Sequence, residues 1–270
     1  MNNTMDRIYA TGLVPVVVID DVATAVDTAK ALLAGGVDLM EITMRTEAGM
    51  ESIKRVVEAC PDMLVGGGTV LTMEQCKTAI EYGAKFIVSP GYNSEIVNYC
   101  LEHSVSICPG CVTPTEIDTA MRAGLNVVKF FPANIYGGLK AIKALRGPFP
   151  KVRFIPTGGV SLVNLAEFVD PAIFAVGGGW LCEKKLINSG DFAQITEISK
   201  KSVEILLGLK NVEGIELSLD DLISQGGAVT TNNIVRATSQ LTRRGFAITY
   251  KSDVSVNLTN SKVEIAISVV

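Results

Sequence analysis

The chain has 270 residues, 48% of them hydrophobic, with a formal net charge of −4. That length and apolar content allow a sizeable core and argue against intrinsic disorder. The slightly acidic balance, with no basic block, argues against a nucleic-acid binder that tracks phosphates, and no run approaches the ~20 apolar residues of a membrane span.

The opening stretch, MNNTMDRIYATGLVPVVVIDD, has no long apolar core behind a basic start, so it is read as lacking an export signal and the protein as soluble and cytoplasmic. From residue 13 onward, eight short apolar runs alternate with helical patterns. The runs are Leu13–Ile19, Leu39–Met44, Met63–Gly68, Lys85–Pro90, Val105–Gly110, Val127–Phe131, Val152–Gly159 and Ile173–Gly179. After the first run, Val22, Ala25, Val26, Ala29, Leu32 and Leu33 recur at helical spacing, and Gly35-Gly36 supply the stop. Thr72 with Gln75, and Thr113-Pro114 with Glu116, have the form of capping boxes. Eight continuously apolar strands alternating with helices predict a parallel (β/α)8 TIM barrel over residues 1–207. A doubly wound open sheet is the second reading, because strand count alone does not close a barrel.

After the last barrel helix, expected at about Asp191 to Leu207, the character changes. Residues 208–226 form a mixed linker with short helical potential in SLDDLISQ. A strand (Ala228–Thr231), a helix (Asn233–Arg244) and three strands (Phe246–Tyr250, Val254–Leu258, Lys262–Val269) follow. In the last of these, Val263, Ile265, Ile267 and Val269 alternate with Glu264, Ala266 and Ser268, as in a half-buried strand. Residues 208–270 are therefore expected to form a small α+β extension. A unit this short buries little surface alone, so it should lean on the barrel or on another subunit. Its βαβββ order loosely resembles one module of the glyoxalase (vicinal-oxygen-chelate) type, although the His and Glu ligands of such a module's metal site are not found.

In a barrel of this kind, chemistry collects at the C-terminal ends of the strands. The second strand carries Glu41, Thr43 and Arg45 on one face, with Met40, Ile42 and Met44 on the other. Placing a carboxylate, a hydroxyl and a guanidinium against the helix layer would be costly, so they are assigned to the barrel interior and its mouth. The third strand ends in Gly66-Gly67-Gly68-Thr69, the seventh in Thr157-Gly158-Gly159 and the eighth in Gly177-Gly178-Gly179. Glycine clusters after strands seven and eight stand where barrel enzymes commonly hold phosphate through backbone N–H groups. The sixth strand, NVVKFFPAN, has Lys129 in an otherwise apolar run, and lysine is rarely buried without a reason. One reading makes it an amine nucleophile that attacks a carbonyl; the alternative is a structural ion pair with Glu41.

Six cysteines in a chain without an export signal read as reduced core thiols, although Cys108 and Cys111 have CxxC spacing. The single histidine, His103, falls at a helix end. It leaves no Ser-His-Asp triad and no multi-histidine metal site, so no metal is expected.

Taken together in order, MEITMRT, GGGTVLT, CPGCVTPTE, VVKFFPA, FIPTGGV and VGGGWL resemble the 2-keto-3-deoxy-6-phosphogluconate (KDPG) and 4-hydroxy-2-oxoglutarate (KHG) aldolases over about residues 7–207. The resemblance implies a (β/α)8 barrel, usually trimeric, that performs class I Schiff-base chemistry on 2-keto acids without a metal or cofactor. It implies Lys129 as the Schiff-base lysine and Glu41 as the general acid and base. Arg45 and Thr69 would hold the substrate carboxylate, and Thr157 would sit over the reacting carbons. Gly158, Gly159, Gly178 and Gly179 would hold phosphate. Many relatives place a serine where this chain has Gly179, and the extension is extra to the family's minimal enzyme. Alternatives are an aldolase for the phosphogalactonate epimer, a metal-dependent epimerase on the same barrel, and a barrel retained for a binding or regulatory role of the tail.

Overall fold

The computed structural model describes residues 4–269; Met1–Asn3 and Val270, the outer ends of the two expected units, lie outside the described residues. A helix not anticipated from the pattern, α1 (Thr4–Thr11), precedes the barrel. The barrel then runs β1 (Leu13–Val17), α2 (Ala25–Ala34), β2 (Leu39–Thr43), α3 (Ala48–Ala59), β3 (Leu64–Gly68), α4 (Met73–Glu81) and β4 (Phe86–Val88). It continues through α5 (Ser94–Glu102), β5 (Ser106–Cys108), α6 (Pro114–Arg122), β6 (Val127–Phe130), α7 (Gly138–Arg146), β7 (Arg153–Pro156) and β8 (Val176–Gly178). Two helices, α8 (Lys184–Ser189) and α9 (Phe192–Leu207), complete the ring.

All eight expected strands are present, shortened at their ends. Six pair in the order β5-β4-β3-β2-β1-β8, and β6 pairs with β7. Single parallel bridges join the two groups, Gly110 to Lys129 on one side and Phe154 to Ile173 and Thr157 to Gly177 on the other. The sheet therefore closes on itself, which excludes the open doubly wound arrangement. One connection departs from strict alternation: a single 3₁₀ turn, Leu165–Phe168, links β7 to β8. The connection is as long as those that carry a full helix, but Pro171 lies within it and stops any extension of the turn. Both expected capping boxes form, Thr72 with Gln75 at α4 and Thr113 with Glu116 at α6.

Apolar side chains fall into two groups. The larger lies between strands and helices; the smaller fills the barrel interior with Val14, Leu39, Leu64, Phe86, Val88, Cys108 and Ile155. Ile8 of α1 belongs to the interior group, with Met5 and Tyr9 packed beside it. The i, i+3, i+4 spacing of these three makes α1 an apolar plug for the N-terminal mouth.

Beyond α9 come a short strand β9 (Lys210–Asn211), α10 (Leu219–Gln225), β10 (Gly227–Thr231), α11 (Ile234–Thr242), β11 (Ala247–Lys251), β12 (Ser255–Thr259) and β13 (Glu264–Val269). They form one sheet in the order β11-β12-β13-β10-β9. Ile265 and Ile267 are buried as their alternation implies, while Val269 at the strand end stays 40% exposed. The tail rests on the N-terminal face of the barrel. Arg236 donates to the carbonyls of Tyr9 and Phe174, Asn233 to the Tyr9 hydroxyl, and Gln240 to the carbonyl of Gly36. Burial pulls the Arg236 guanidinium down to about 10. Arg243 pairs with Asp38 at 2.6 Å, and Asp38 also accepts from Arg7 and Thr11. No helix among the described residues is long and apolar enough to cross a membrane.

Candidate active site

Strand β6 delivers Lys129 into the barrel with only 3% of its surface exposed. Its backbone is fixed on the β5 side, where its N–H donates to the carbonyl of Pro109 and its carbonyl accepts from Cys111 N–H, both at 2.9 Å. Across the barrel on β2, Glu41 is 1% exposed, and its Oε1 accepts from Lys129 Nζ at 3.4 Å. The glycine run of β3 makes room for this carboxylate, since a Cβ on Gly68 would collide with the Glu41 side chain. The Lys129 ammonium also lies 5.3 Å from the centre of the Phe131 ring. A small cavity beside the pair is lined by Glu41, Lys129, Cys108, Thr157 and apolar interior residues.

Thr157 also lines a second, larger space, a cleft of about 200 Å³ at the C-terminal mouth. Its other walls include Arg45, Phe131, Gly158, Gly159, Gly178, Gly179 and Lys184. Of the nine site residues anticipated, only Thr69 lines neither space. It is joined to them through its hydroxyl, which accepts from Arg45 Nε at 3.2 Å. Thr69 has φ of 54°, a left-handed conformation that costs a β-branched residue energy and that clusters at functional sites. Gly159 has φ of 76°, and a Cβ there would strike the Asn134 side chain, so both torsion and space require glycine.

Several neighbours were not singled out as site residues. Phe131 shares the face of Lys129 two residues away, a period-2 signal that could have found it. Thr43, read as facing the interior but given no role, is fully buried and its hydroxyl has no hydrogen-bond partner among the described residues. Lys184 lies past β8, where no periodic pattern points to the cleft. Cys108 and Cys111 are buried free thiols, each pushed up to about 12; burial is the main cause, assisted by Glu41 at Cys108 and by Glu116 at Cys111. Thiols in that state are poor nucleophiles, which counts against a redox role for their CxxC spacing. His103 caps the end of α5, its Nδ1 2.8 Å from the carbonyl of Tyr99.

The site therefore joins a buried amine–carboxylate pair to a mouth bearing a guanidinium and glycine strand ends. A 2-keto acid entering carbonyl-first would meet the amine below and the cations above. The family model for the KDPG and KHG aldolases matches residues 5–198. A 2-dehydro-3-deoxy-phosphogluconate aldolase of Treponema pallidum is 46% identical over 195 residues, 72% of this chain and 93% of that protein. A KHG/KDPG aldolase of Escherichia coli is 39% identical over 201 residues, 74% of this chain and 94% of that one. Among solved structures, the KDPG aldolase of Legionella pneumophila, with pyruvate captured as a covalent carbinolamine, superimposes with a TM-score of 0.71 at 33% identity, covering 74% of this chain and 98% of that one.

Proposed function

This chain belongs to the KDPG and KHG aldolase family and is a carbon–carbon lyase, and we propose that Lys129 is the amine through which it cleaves its 2-keto acid. The substrate is 2-keto-3-deoxy-6-phosphogluconate, 4-hydroxy-2-oxoglutarate or both, and the products are pyruvate and an aldehyde. The observation that carries the assignment is the buried Lys129–Glu41 pair, on a small cavity that shares Thr157 with the cleft at the strand ends.

The Lys129 amine adds to the C2 carbonyl and water leaves, giving an iminium. Glu41, directly or through a water, takes the proton of the C4 hydroxyl. The C3–C4 bond breaks, its electron pair passes into the iminium to give an enamine, and the aldehyde departs. Glu41 then returns a proton to C3, and water hydrolyses the iminium to release pyruvate and the free amine. Arg45, oriented by Thr69, holds the keto-acid carboxylate. Thr157, which walls both spaces, stands over the reacting carbons. Gly158, Gly159, Gly178 and Gly179 receive the phosphate on their backbone.

The reading extends to a cytoplasmic homotrimer. Free cysteines at all six positions support the location. Large apolar side chains left exposed after β3, β6 and β7, namely Leu71, Ile135, Tyr136 and Val163, support a self-associating surface at the mouth. Release of pyruvate from the phosphogluconate derivative, its phosphogalactonate epimer and the unphosphorylated hydroxy-oxoglutarate, measured side by side, tests the activity and ranks the substrates. No pyruvate from any of the three would end the proposal.

A further inference from the structure

Lys184 is unclaimed by the chemistry above, yet it lines the mouth cleft with Gly158, Gly159, Gly178 and Gly179. Arg45 is the other cation on that cleft, and Thr69 holds it from the β3 side. Lys184 enters past β8, in the segment that follows the glycine end of that strand. Its ammonium pairs with Asp20 at 2.9 Å, and Asp20 is held in turn by Asn188 at 3.0 Å. The lysine side chain is 54% exposed, so its head is free to swing on its stem within the mouth. Gly179, on the same cleft, has no side chain, and a Cβ placed there meets nothing closer than the carbonyl of Val16 at 3.6 Å.

We infer that Lys184 recognises the anionic group at the end of the substrate remote from the keto acid and sets the preference for phosphorylated compounds. The inference rests on the aldolase reading and adds to it a residue that this reading leaves without a role. The substrate carries two anionic ends, and the cleft presents two cations. If Arg45 takes the keto-acid carboxylate, Lys184 is left for the far end. Backbone N–H groups of the glycines orient a phosphate, but they supply only partial charge. An ammonium supplies a full one, where Gly179 offers no hydroxyl. Asp20 serves as a parking partner: it holds the ammonium at the rim before substrate arrives, and its own negative charge opposes the incoming anion.

The test compares full-length protein with Lys184→Gln, Lys184→Arg and Asp20→Asn. Two substrates are used, the phosphorylated 2-keto-3-deoxygluconate and its unphosphorylated parent, which ends in a neutral hydroxyl. The readout is the ratio of kcat/KM for the first over the second. Lys184→Gln should lower that ratio about tenfold, and Lys184→Arg should restore most of it. Asp20→Asn should move it the other way by about two- to threefold, because it removes a repulsive charge and leaves the lysine in place. The preference of the unaltered protein should also weaken with added salt.

A ratio unchanged by Lys184→Gln overturns the inference. So does a shift of the same sign from Lys184→Gln and Asp20→Asn, which is what a purely structural ion pair gives. Borohydride trapping of pyruvate, which has no far end, tells the two failures apart. An unaltered protein that traps pyruvate while the ratio stays put loses only the role of Lys184. One that neither traps nor cleaves loses the aldolase reading itself.

Discussion

Lys129 Nζ and Glu41 Oε1 stand 3.4 Å apart inside the barrel, on strands β6 and β2, which do not adjoin in the sheet. Neither side chain is more than 4% exposed. A structural pair in such a place is weak support for a fold, because desolvating two ions offsets much of their attraction. The pair makes chemical sense as an amine and a proton carrier held side by side, so that a substrate bound to the amine lies within reach of the carboxylate.

Lys129→Met keeps the length and apolarity of the side chain. It should fold, yet show no covalent capture of pyruvate on borohydride reduction and a loss of cleavage of about 10³-fold or more. Glu41→Gln leaves the amine in place, so trapping should survive while exchange of the pyruvate methyl protons falls by about 10²-fold. Peptide mapping of the reduced adduct checks the first variant, and proton exchange followed by NMR checks the second. Label on another lysine would remove the nucleophile from β6.

The barrel strands are easy to read because they are buried on both faces and bounded by glycine, proline or a capping box. The interior pair was legible because β2 and β6 place charge where the pattern calls for apolar residues. Other features were not. Helix α1 was missed because Met5, Ile8 and Tyr9 acquire meaning only once an open barrel mouth exists to receive them. Arg236 looks like any surface arginine on a helix, and its burial comes from carbonyl oxygens of Tyr9 and Phe174 that lie far away in the chain. Lys184 reaches the cleft through a loop path that no periodicity encodes.

Thr69 is held at φ of 54° while its hydroxyl meets Arg45. Thr69→Gly relieves the strained torsion, so thermal stability should hold or rise by about 1 kcal/mol, despite the added freedom of the unfolded chain. Loss of the hydroxyl should raise KM about tenfold for phosphorylated and unphosphorylated keto acids alike, since both carry the carboxylate. Steady-state kinetics on the two substrates decide. An effect confined to the phosphorylated one would move Thr69 to the other end of the cleft.

Glu116 closes the capping box of α6. Burial pushes its carboxyl up, but hydrogen bonds from the N–H groups of Val112 and Thr113 and from the Thr113 hydroxyl outweigh this and hold it below the usual carboxylate range. A folded-state value below the unfolded one means the contribution is present above about pH 4.3 and is lost as pH falls through the lowered folded value. Glu116→Gln should therefore flatten the acid limb of the stability curve, read by urea unfolding from pH 6 down to pH 3. An unchanged slope would show that other carboxylates dominate that limb.

Asp38 joins three parts of the chain, accepting from Arg7 and Thr11 of α1 and from Arg243 beyond α11. Asp38→Asn would leave two guanidiniums poorly paired and should cost about 1–3 kcal/mol of stability. This cluster lies at the N-terminal face, opposite the cleft, so kcat and KM should stay within about twofold of the unaltered protein when assayed well below its Tm. A large kinetic change without loss of stability would mean that the tail acts on the active site through the barrel.

Gly179 and Gly178 give the sharpest contrast on the phosphate end. Gly179 has φ of −87° and ψ of −6°, torsions that serine adopts freely, and the nearest atom to an added Cβ is the Val16 carbonyl at 3.6 Å. Gly179→Ser should therefore fold normally and place a hydroxyl in the cleft, lowering KM for the phosphorylated substrate about threefold with little change for a neutral-ended one. Gly178→Ser is chemically the same change one residue earlier, but its Cβ would run into the Trp180 ring, which is 8% exposed and packed in the core. That variant should lose about 1–3 kcal/mol of stability and gain no affinity. If Gly179→Ser instead lowers KM equally for both substrates, the hydroxyl touches a part they share, and the glycine ends of β7 and β8 are not the phosphate cradle.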